Sequence, residues 1–455
     1  MTVYAHINTC PNGSTGGIMM KEHKELLAKG EESYAFWGRG RDAQNEHEMK
    51  FSTDFEVKCD GVATRLDGKA GFHSVAATKR LLERLEQIKP QVVHLHNLHG
   101  YYLNVKLLFE WLAQHDCRVE WTLHDCWAFT GHCAHFTYVK CAQWKTHCAY
   151  SESCSQLKTY PRTFAGSASC KWNFAHKKHF FTLVPADRMK LITPSQWLAD
   201  LVGESYLRDY PVEVRHNTID TSIFKPTPSD FRERYGIGDR FMILGVASPW
   251  TERKGLSDFV HLANDLDSEK FAIVLVGLSG KQIKELQKQL VAIHKVDNPR
   301  ELAGAYTTAD VFVHPGVEET FGMTVAEAQA CETHVIVTQG SACAEIADRD
   351  NTSVVPADLS TLKATIVKLA GGGLAVLVFR TESPQQLAAI YTAADIFFNP
   401  TIEDNYPTVN LEAEACGTTV VTYDTGGCKE TVRRPTSIVT SDYDHCLPVL
   451  MELSK

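Results

Sequence analysis

Short, nearly unbroken apolar runs recur along this chain, separated by polar stretches with helical patterning, and few folds accept that arrangement. The runs include "VVHLH" (92–96), "VEWTLH" (119–124), "KLITP" (190–194), "FMILGVA" (241–247) and "FAIVLVG" (271–277). Between them lie stretches such as "VAATKRLLERLEQI" (75–88), with apolar residues at helical spacing. A strand that is apolar at consecutive positions must be covered on both faces. Strand–helix alternation of this kind therefore predicts an α/β chain of parallel sheets with helices on either side.

A turn-rich polar stretch, "NTIDTSIFKPTPSD" (217–230), separates two such series and predicts a domain boundary near 221–228. Beyond it the chain repeats itself. Residues 299–345, containing "ADVFVHPGVEETFGMTVAEAQAC", align without a gap on 384–430, containing "ADIFFNPTIEDNYPTVNLEAEAC". A gapless match at a fixed offset indicates duplication. The first copy follows the two strands at Phe241 and Phe271, so a whole doubly wound domain can close around it. The second follows "GGG" (371–373) and has only "LAVLVF" before it and "SIVT" after it, which is half a domain. The expected organisation is an N-terminal Rossmann-like domain over 1–220, a C-terminal one over 221–370, and a partial repeat over 374–455.

A net charge of -9 carries no general basic footprint, so nucleic acid is not an expected partner. The opening "MTVYAHINTC" reads as a first strand, and no apolar run approaches the roughly 20 residues of a membrane-spanning helix. The expectation is a cytoplasmic chain, with its 14 cysteines reduced or bound to metal.

Several residues sit where such folds bind ligands, outside the carboxyl ends of the strands. In the first copy Glu319 falls in the loop after a strand and Glu327 in the following helix. Glu327 could accept hydrogen bonds from ribose hydroxyls and Glu319 could face a sugar, although acidic residues near a helix start can also simply favour its dipole. "SPWTERKG" (248–255) puts Arg253 and Lys254 at another strand-to-helix junction, where cations can stabilise a departing diphosphate. "PNGSTGG" (11–17) reads as a glycine-rich turn that lets a phosphate or sugar approach closely, or as a plain turn.

With those residues in place, "PGVEETFGMTVAEAQAC" resembles the E-x7-E signature of family-4 retaining glycosyltransferases, whose GT-B fold has two Rossmann-like domains. The likeness runs through "GSTGG", "HLHNLHGYYLN", "WTLHDCWAFTGHC", "ITPSQWLADLV", "NTID" and "ERKG". "LHDCWAFTGHC" in particular resembles bacterial exopolysaccharide- and capsule-assembly enzymes. The resemblance implies that Lys254 and Arg253 hold the donor diphosphate, Glu327 the ribose and Glu319 the transferred sugar. It puts His124 in the cleft close to that sugar and Gly16 and Gly17 near the phosphates. It further implies a nucleotide-diphosphate sugar as co-substrate, no catalytic metal, retention of anomeric configuration, and a glycan or lipid-linked acceptor.

Departures from the family pattern are equally visible. Pro249 stands where an arginine is usual, Thr218 replaces a glycine in "NTID", and Glu332 replaces the glycine of "ACGT". The second copy keeps "ACGT" and "TGGCKE", with Asp404 and Glu412 at the two acidic positions. Only one copy can sit beside Lys254. The first is expected to, because short sequential connections are preferred. The leftover edge of the half-domain would then need cover, for which a second subunit is a candidate. Two other functional readings stay open. One is a sugar-nucleotide epimerase, which the paired acidic signature disfavours. The other is a non-catalytic sugar-nucleotide-binding or assembly partner.

Two further constellations carry alternatives. Cys133, Cys141, Cys148 and Cys154 could form a four-thiolate structural zinc site, or remain free buried thiols. "CKWNFAHKKHFF" (170–181) could show anionic lipid a basic, aromatic face, giving peripheral contact at the inner face of the membrane. The commoner arrangement, and the preferred one, buries the aromatics and leaves Lys171, Lys177 and Lys178 solvated.

Overall fold

The computed structural model describes residues 1–455 other than 151, 297, 348–350, 372–382, 402, 442–444, 447–448, 451–452 and 454–455. Contacts group the chain into two compact units. The first comprises Met1–Ile219 with the short segments Glu318–Met323 and Ser341–Ile346; the second comprises Asp220–Val317, Thr324–Gly340 and Ala347–Lys455.

The first unit is built on seven strands: β1 (Val3–Asn8), β2 (Glu32–Trp37), β3 (Glu48–Lys50), β4 (Val92–Leu95), β5 (Arg118–Thr122), β6 (Met189–Thr193) and β7 (Val212–Val214). They lie in the order β3-β2-β1-β4-β5-β6-β7, and all pairs are parallel. The order reverses between β1 and β4, which opens a crevice beyond their carboxyl ends. All four residues of β4 are buried, as its apolar run requires. The helix Val75–Ile88 forms where the pattern predicts it and buries Ala77, Leu81 and Leu85. A core of Phe109, Trp121, Trp127 and Phe181 fills the far side of the sheet.

The second unit contains two sheets. Strands β8 (Phe241–Val246), β9 (Phe271–Val276), β10 (Val291–Ile293), β11 (Val311–His314), β12 (Val335–Thr338) and β13 (Thr352–Val355) form one, in the order β10-β9-β8-β11-β12-β13. Strands β14 (Ile396–Asn399), β15 (Thr419–Tyr423) and β16 (Ile438–Thr440) form the other. The duplication is preserved at the level of register. Phe312 pairs with Val335 in the first copy, and Phe397 with Val420 in the second; Ile336 pairs with Ser353, and Val421 with Ile438. The structural correspondence thus runs past Glu345 and Glu430, the ends of the aligned segments. The apolar run "LAVLVF" lies outside the described residues.

One expected turn is instead helical. The helix Gly13–Ala28 starts inside the glycine-rich stretch, so Gly16 and Gly17 belong to its first turns rather than to a loop. Gly16 is required there: a Cβ would lie 2.6 Å from the Cys10 carbonyl oxygen. At Gly17 a Cβ would meet open space. No described helix is long and apolar enough to cross a membrane.

Candidate active site

In the second unit the chain leaves β8 and forms a tight turn, Glu252–Lys254, closed by Gly255 in the left-handed region at φ 78°. A side chain at Gly255 could not fit, since its Cβ would lie 2.4 Å from Pro315. A Cβ on Gly316 would likewise meet His314 Cε1 at 2.7 Å and the Arg253 carbonyl oxygen at 3.2 Å. These two close approaches hold Arg253 and Lys254 against the end of β11, the strand beside β8. His314, the last residue of β11, is buried. Burial lowers its pKa to about 3, and the neighbouring charges of Lys254 and Arg253 push the same way. It is therefore a neutral imidazole beside two cations, and no motif marks it in the sequence.

The helix Met323–Ala330 follows, carrying Glu327. Burial raises the Glu327 pKa to about 7, against a hydrogen bond from the Tyr306 hydroxyl to Oε2 at 3.1 Å. A carboxyl group poised near neutrality can accept hydrogen bonds from a diol when ionised.

In the first unit His124 follows β5. Burial lowers its pKa to about 4, so it too is neutral, and its Nε2 lies 3.3 Å from His96 Nδ1. His124 and Asp125 share the walls of one pocket with His96, His99, Trp121 and Trp127. Asp125 pairs with His99 at 2.6 Å and accepts the Trp127 N–H at 2.8 Å. Although burial opposes ionisation, His99 holds the Asp125 carboxyl far below the ordinary range.

Of the adjacent acidic residues in the signature loop, Glu318 and not Glu319 has the more specific surroundings. Glu318 is fully buried, and its carboxylate accepts the backbone N–H groups of Phe136 (2.9 Å), Thr137 (3.0 Å) and Tyr138 (3.2 Å). Those amides open the short turn Thr137–Val139, so Glu318 satisfies donors that would otherwise be orphaned. Glu319 is half-buried, and its carbonyl accepts the Ala342 N–H at 3.1 Å. Thr218, at the usual glycine position, accepts a hydrogen bond from Lys21 Nζ at 2.7 Å.

The second copy places its acidic residues differently. Asp404 is exposed and accepts the Tyr406 N–H at 3.0 Å; Glu412 is exposed as well. The buried acid of that helix is Glu414, which accepts the backbone N–H groups of Arg433 and Arg434.

The cysteine run folds around a common pocket, lined by Cys133, Cys141, Cys148, Cys154 and also Cys170. Its sulfurs do not converge at ligand spacing. Among the described residues, the one group of three or more ligand atoms lying within 4.8 Å of one another is His6, Glu22, His94 and His96. Cys154 instead hydrogen-bonds with Cys170, which lowers the Cys154 pKa to about 7. On the helix Ala168–Phe181 the residues Phe174, Phe180 and Phe181 are buried, and Lys171 and Lys178 are exposed. Lys177 departs from expectation. It is buried, donating to the Trp127 carbonyl at 2.5 Å with its ammonium 3.7 Å from the Trp127 ring centroid.

The comparisons with known proteins bear on this arrangement. Two models, both described as "Glycosyl transferases group 1", match residues 240–372 and 358–436. Residues 240–436 thus resemble the group 1 glycosyl transferases. The first match spans the six-stranded sheet of the second unit, and the second spans most of the repeated half. A putative colanic acid biosynthesis glycosyl transferase, WcaC of Escherichia coli, is 30% identical over 206 residues, 43% of this chain and 49% of that protein. An alpha-galactosylglucosyldiacylglycerol synthase of Streptococcus pneumoniae is 24% identical over 35% of this chain and 46% of its own. The matches thus span about half the length of these curated relatives. Among solved structures, sucrose-phosphate synthase from Thermosynechococcus elongatus superposes with a TM-score of 0.59 at 14% identity, covering 82% of this chain and 90% of that one. HepE from Anabaena, in complex with UDP and glucose, gives 0.51 at 13% identity, covering 80% and 89%. At these identities the likeness establishes the fold, with its two Rossmann-like sheets of GT-B type.

Proposed function

We propose that this chain is a retaining glycosyltransferase that moves a hexosyl unit from a nucleotide-diphosphate sugar to a glycan or lipid-linked acceptor. The observation that carries the reading is the Arg253–Lys254 turn, packed against His314 on the adjoining strand, with Glu327, its pKa raised by burial, on the helix that follows. Two fixed cations at the end of a parallel strand suit a diphosphate leaving group, where negative charge grows as the glycosidic bond breaks. A carboxylate near neutrality suits a ribose diol. His314 stays neutral, so it adds no further charge and leaves the cations to the phosphates.

On this reading Lys254 and Arg253 bind the diphosphate, Glu327 the ribose, and Glu319 and His124 line the transferred sugar. No side chain is assigned as a covalent nucleophile. Attack on the face that the diphosphate leaves relies on positioning and charge stabilisation. The UDP and glucose held by HepE favour a nucleotide-diphosphate sugar here, and the colanic acid relative favours polysaccharide assembly as the setting.

The test is a thermal-shift screen of nucleotide diphosphates and their sugars, since a ligand bound only by the folded chain raises its melting temperature. At least one should stabilise the wild type and leave Lys254→Ala unshifted. Product formation from the same sugar separates a transferase from a non-catalytic binding partner. A chain that binds no nucleotide diphosphate is not this enzyme.

A further inference from the structure

Four polar side chains meet in the first unit, behind His124, and none of the four is assigned to the donor. His6 on β1 and His94 on β4 are direct cross-strand partners, so their side chains share one face of the sheet. His96 lies two residues beyond His94 and falls on the same face. Glu22, on the helix Gly13–Ala28, reaches down from above. Its Oε2 lies 3.0 Å from His94 Nδ1, 3.7 Å from His96 Nε2 and 4.0 Å from His6 Nδ1.

Close packing has not made these groups hydrogen-bond partners. Both ring nitrogens of His6, Nε2 of His96 and Oε2 of Glu22 are buried without one. His6 and His96 are each only 1% exposed. A buried polar atom left unsatisfied costs about 1–3 kcal/mol, and three of these, Glu22 Oε2 with His6 Nδ1 and His96 Nε2 within 4.0 Å of it, call for an explanation. Imidazole nitrogens and a carboxylate oxygen converging in this way form a donor set that divalent transition ions accept.

We propose that His6, Glu22, His94 and His96 form a closed site for a divalent transition ion, zinc by its donor set, tying β1, β4 and the helix Gly13–Ala28 together. Ligand atoms around a tetrahedral zinc with bonds of about 2.0–2.1 Å lie about 3.3 Å apart, and the three separations above bracket that value. The outer partners are also present. Nε2 of His94 lies 2.8 Å from the Thr122 hydroxyl, and Nδ1 of His96 lies 3.3 Å from His124 Nε2. Each is the nitrogen on the side away from Glu22, as expected for ligands oriented by a second contact. Four protein donors leave no open position, so the ion is structural, consistent with a transfer reaction that uses no catalytic metal.

The site also reaches His124. With Nε2 of His96 on the metal, its Nδ1 must carry the proton and donate to His124 Nε2, which fixes the His124 proton on Nδ1. The metal site stands without the donor-binding reading; only this last consequence rests on it.

The test uses full-length protein prepared without metal-affinity steps, with its metal content measured by plasma mass spectrometry. About one zinc per chain is expected. His94→Ala and the isosteric Glu22→Gln should each lower retained metal at least tenfold, whereas Cys141→Ser should keep it. Cobalt exchanged into the wild type should show the intense visible bands of a tetrahedral site, absent from Glu22→Gln. If His94→Ala fails to fold, Glu22→Gln still decides, because it preserves shape. Wild-type protein that retains neither zinc nor cobalt after loading overturns the proposal. So does metal that survives Glu22→Gln or disappears with Cys141→Ser.

Discussion

The two copies of the repeated element share a register and several internal contacts but differ at the acidic position proposed to meet the ribose. Thr333 donates to the Tyr306 carbonyl, and Thr418 donates to that of Tyr391. Tyr306 packs edge-on against Phe312 with centroids 5.4 Å apart, and Tyr391 against Phe397 at 5.1 Å. The scaffold is the same. In the first copy, however, Glu327 is drawn into the protein beside the Tyr306 hydroxyl, while its counterpart Glu412 is exposed. The first copy's leading strand, β11, pairs with β8, which brings Arg253 and Lys254 alongside. Its counterpart β14 has β15 as its one sheet neighbour among the described residues. A duplicated strand–helix unit therefore keeps its internal packing when its place in a larger sheet changes, while the surroundings of its acidic residue change with that place.

The sharpest way to break this comparison is to remove each acid in turn. Glu327→Ala is expected to abolish nucleotide-sugar binding, measured by calorimetry, and Glu412→Ala to leave it nearly intact. The reverse result would make the second copy the working one. Next, Lys254→Ala should lower turnover by about 10²–10³-fold with little change in melting temperature, the signature of lost charge stabilisation. Wild-type turnover in this variant would remove the β8 turn from the mechanism.

A smaller effect concerns pH. The folded pKa of Glu327 is raised from the ordinary 4.5 to about 7, so ionising it within the fold is unfavourable. Its contribution to stability should decline as pH rises across that window and level off above it. Donor affinity should move the opposite way, rising towards neutrality as the carboxylate forms. Glu327→Gln should flatten the stability trend in urea titrations at several pH values. A trend unchanged in that variant would assign it to another group.

The smallest expected effect lies at the helix ends. Glu332 sits at φ 61° and Gly417, its counterpart, at φ 95°. A side chain in this left-handed region costs roughly 1 kcal/mol, and glycine does not carry that cost. Glu332→Gly should therefore stabilise by up to about 1 kcal/mol, less what glycine adds to the entropy of the unfolded chain. Gly417→Ala should destabilise by a similar amount. No gain in stability from Glu332→Gly in urea unfolding would mean that the first copy has relaxed around its glutamate.

Much of this arrangement was legible in the sequence because it is local. Consecutive apolar residues mark β4, β8 and β9, and the fixed offset marks the duplication. The departure at Glu332 is visible as a missing glycine. What could not be read depends on long-range placement. That Glu318 rather than Glu319 meets the amides of Phe136, Thr137 and Tyr138 depends on where two segments far apart in the chain come to lie. Lys177 looked solvated because a helix pattern alone cannot show that Trp127 lies beneath it. The histidine cluster gave half a signal. His94 and His96 stand two apart on a strand, hence on one face, but their meeting with His6 required β1 and β4 to be neighbours. The thiols of Cys133, Cys141, Cys148 and Cys154 are the opposite case: the sequence left a zinc site and free thiols open, and closeness in sequence did not become convergence of sulfur atoms.

The shared register of the two copies has a consequence for how the chain reaches its native state. Strand β8 must choose a neighbour, and 299–345 and 384–430 offer it nearly interchangeable edges. Synthesis from the N-terminus resolves the choice, because the first copy emerges and can dock before the second exists. A denatured full-length chain has no such order, and either copy can dock first. Recovery of native protein from urea should therefore fall well below the soluble yield from expression, and the shortfall should shrink when substitutions at Phe397 and Phe398 make the second edge a poorer match.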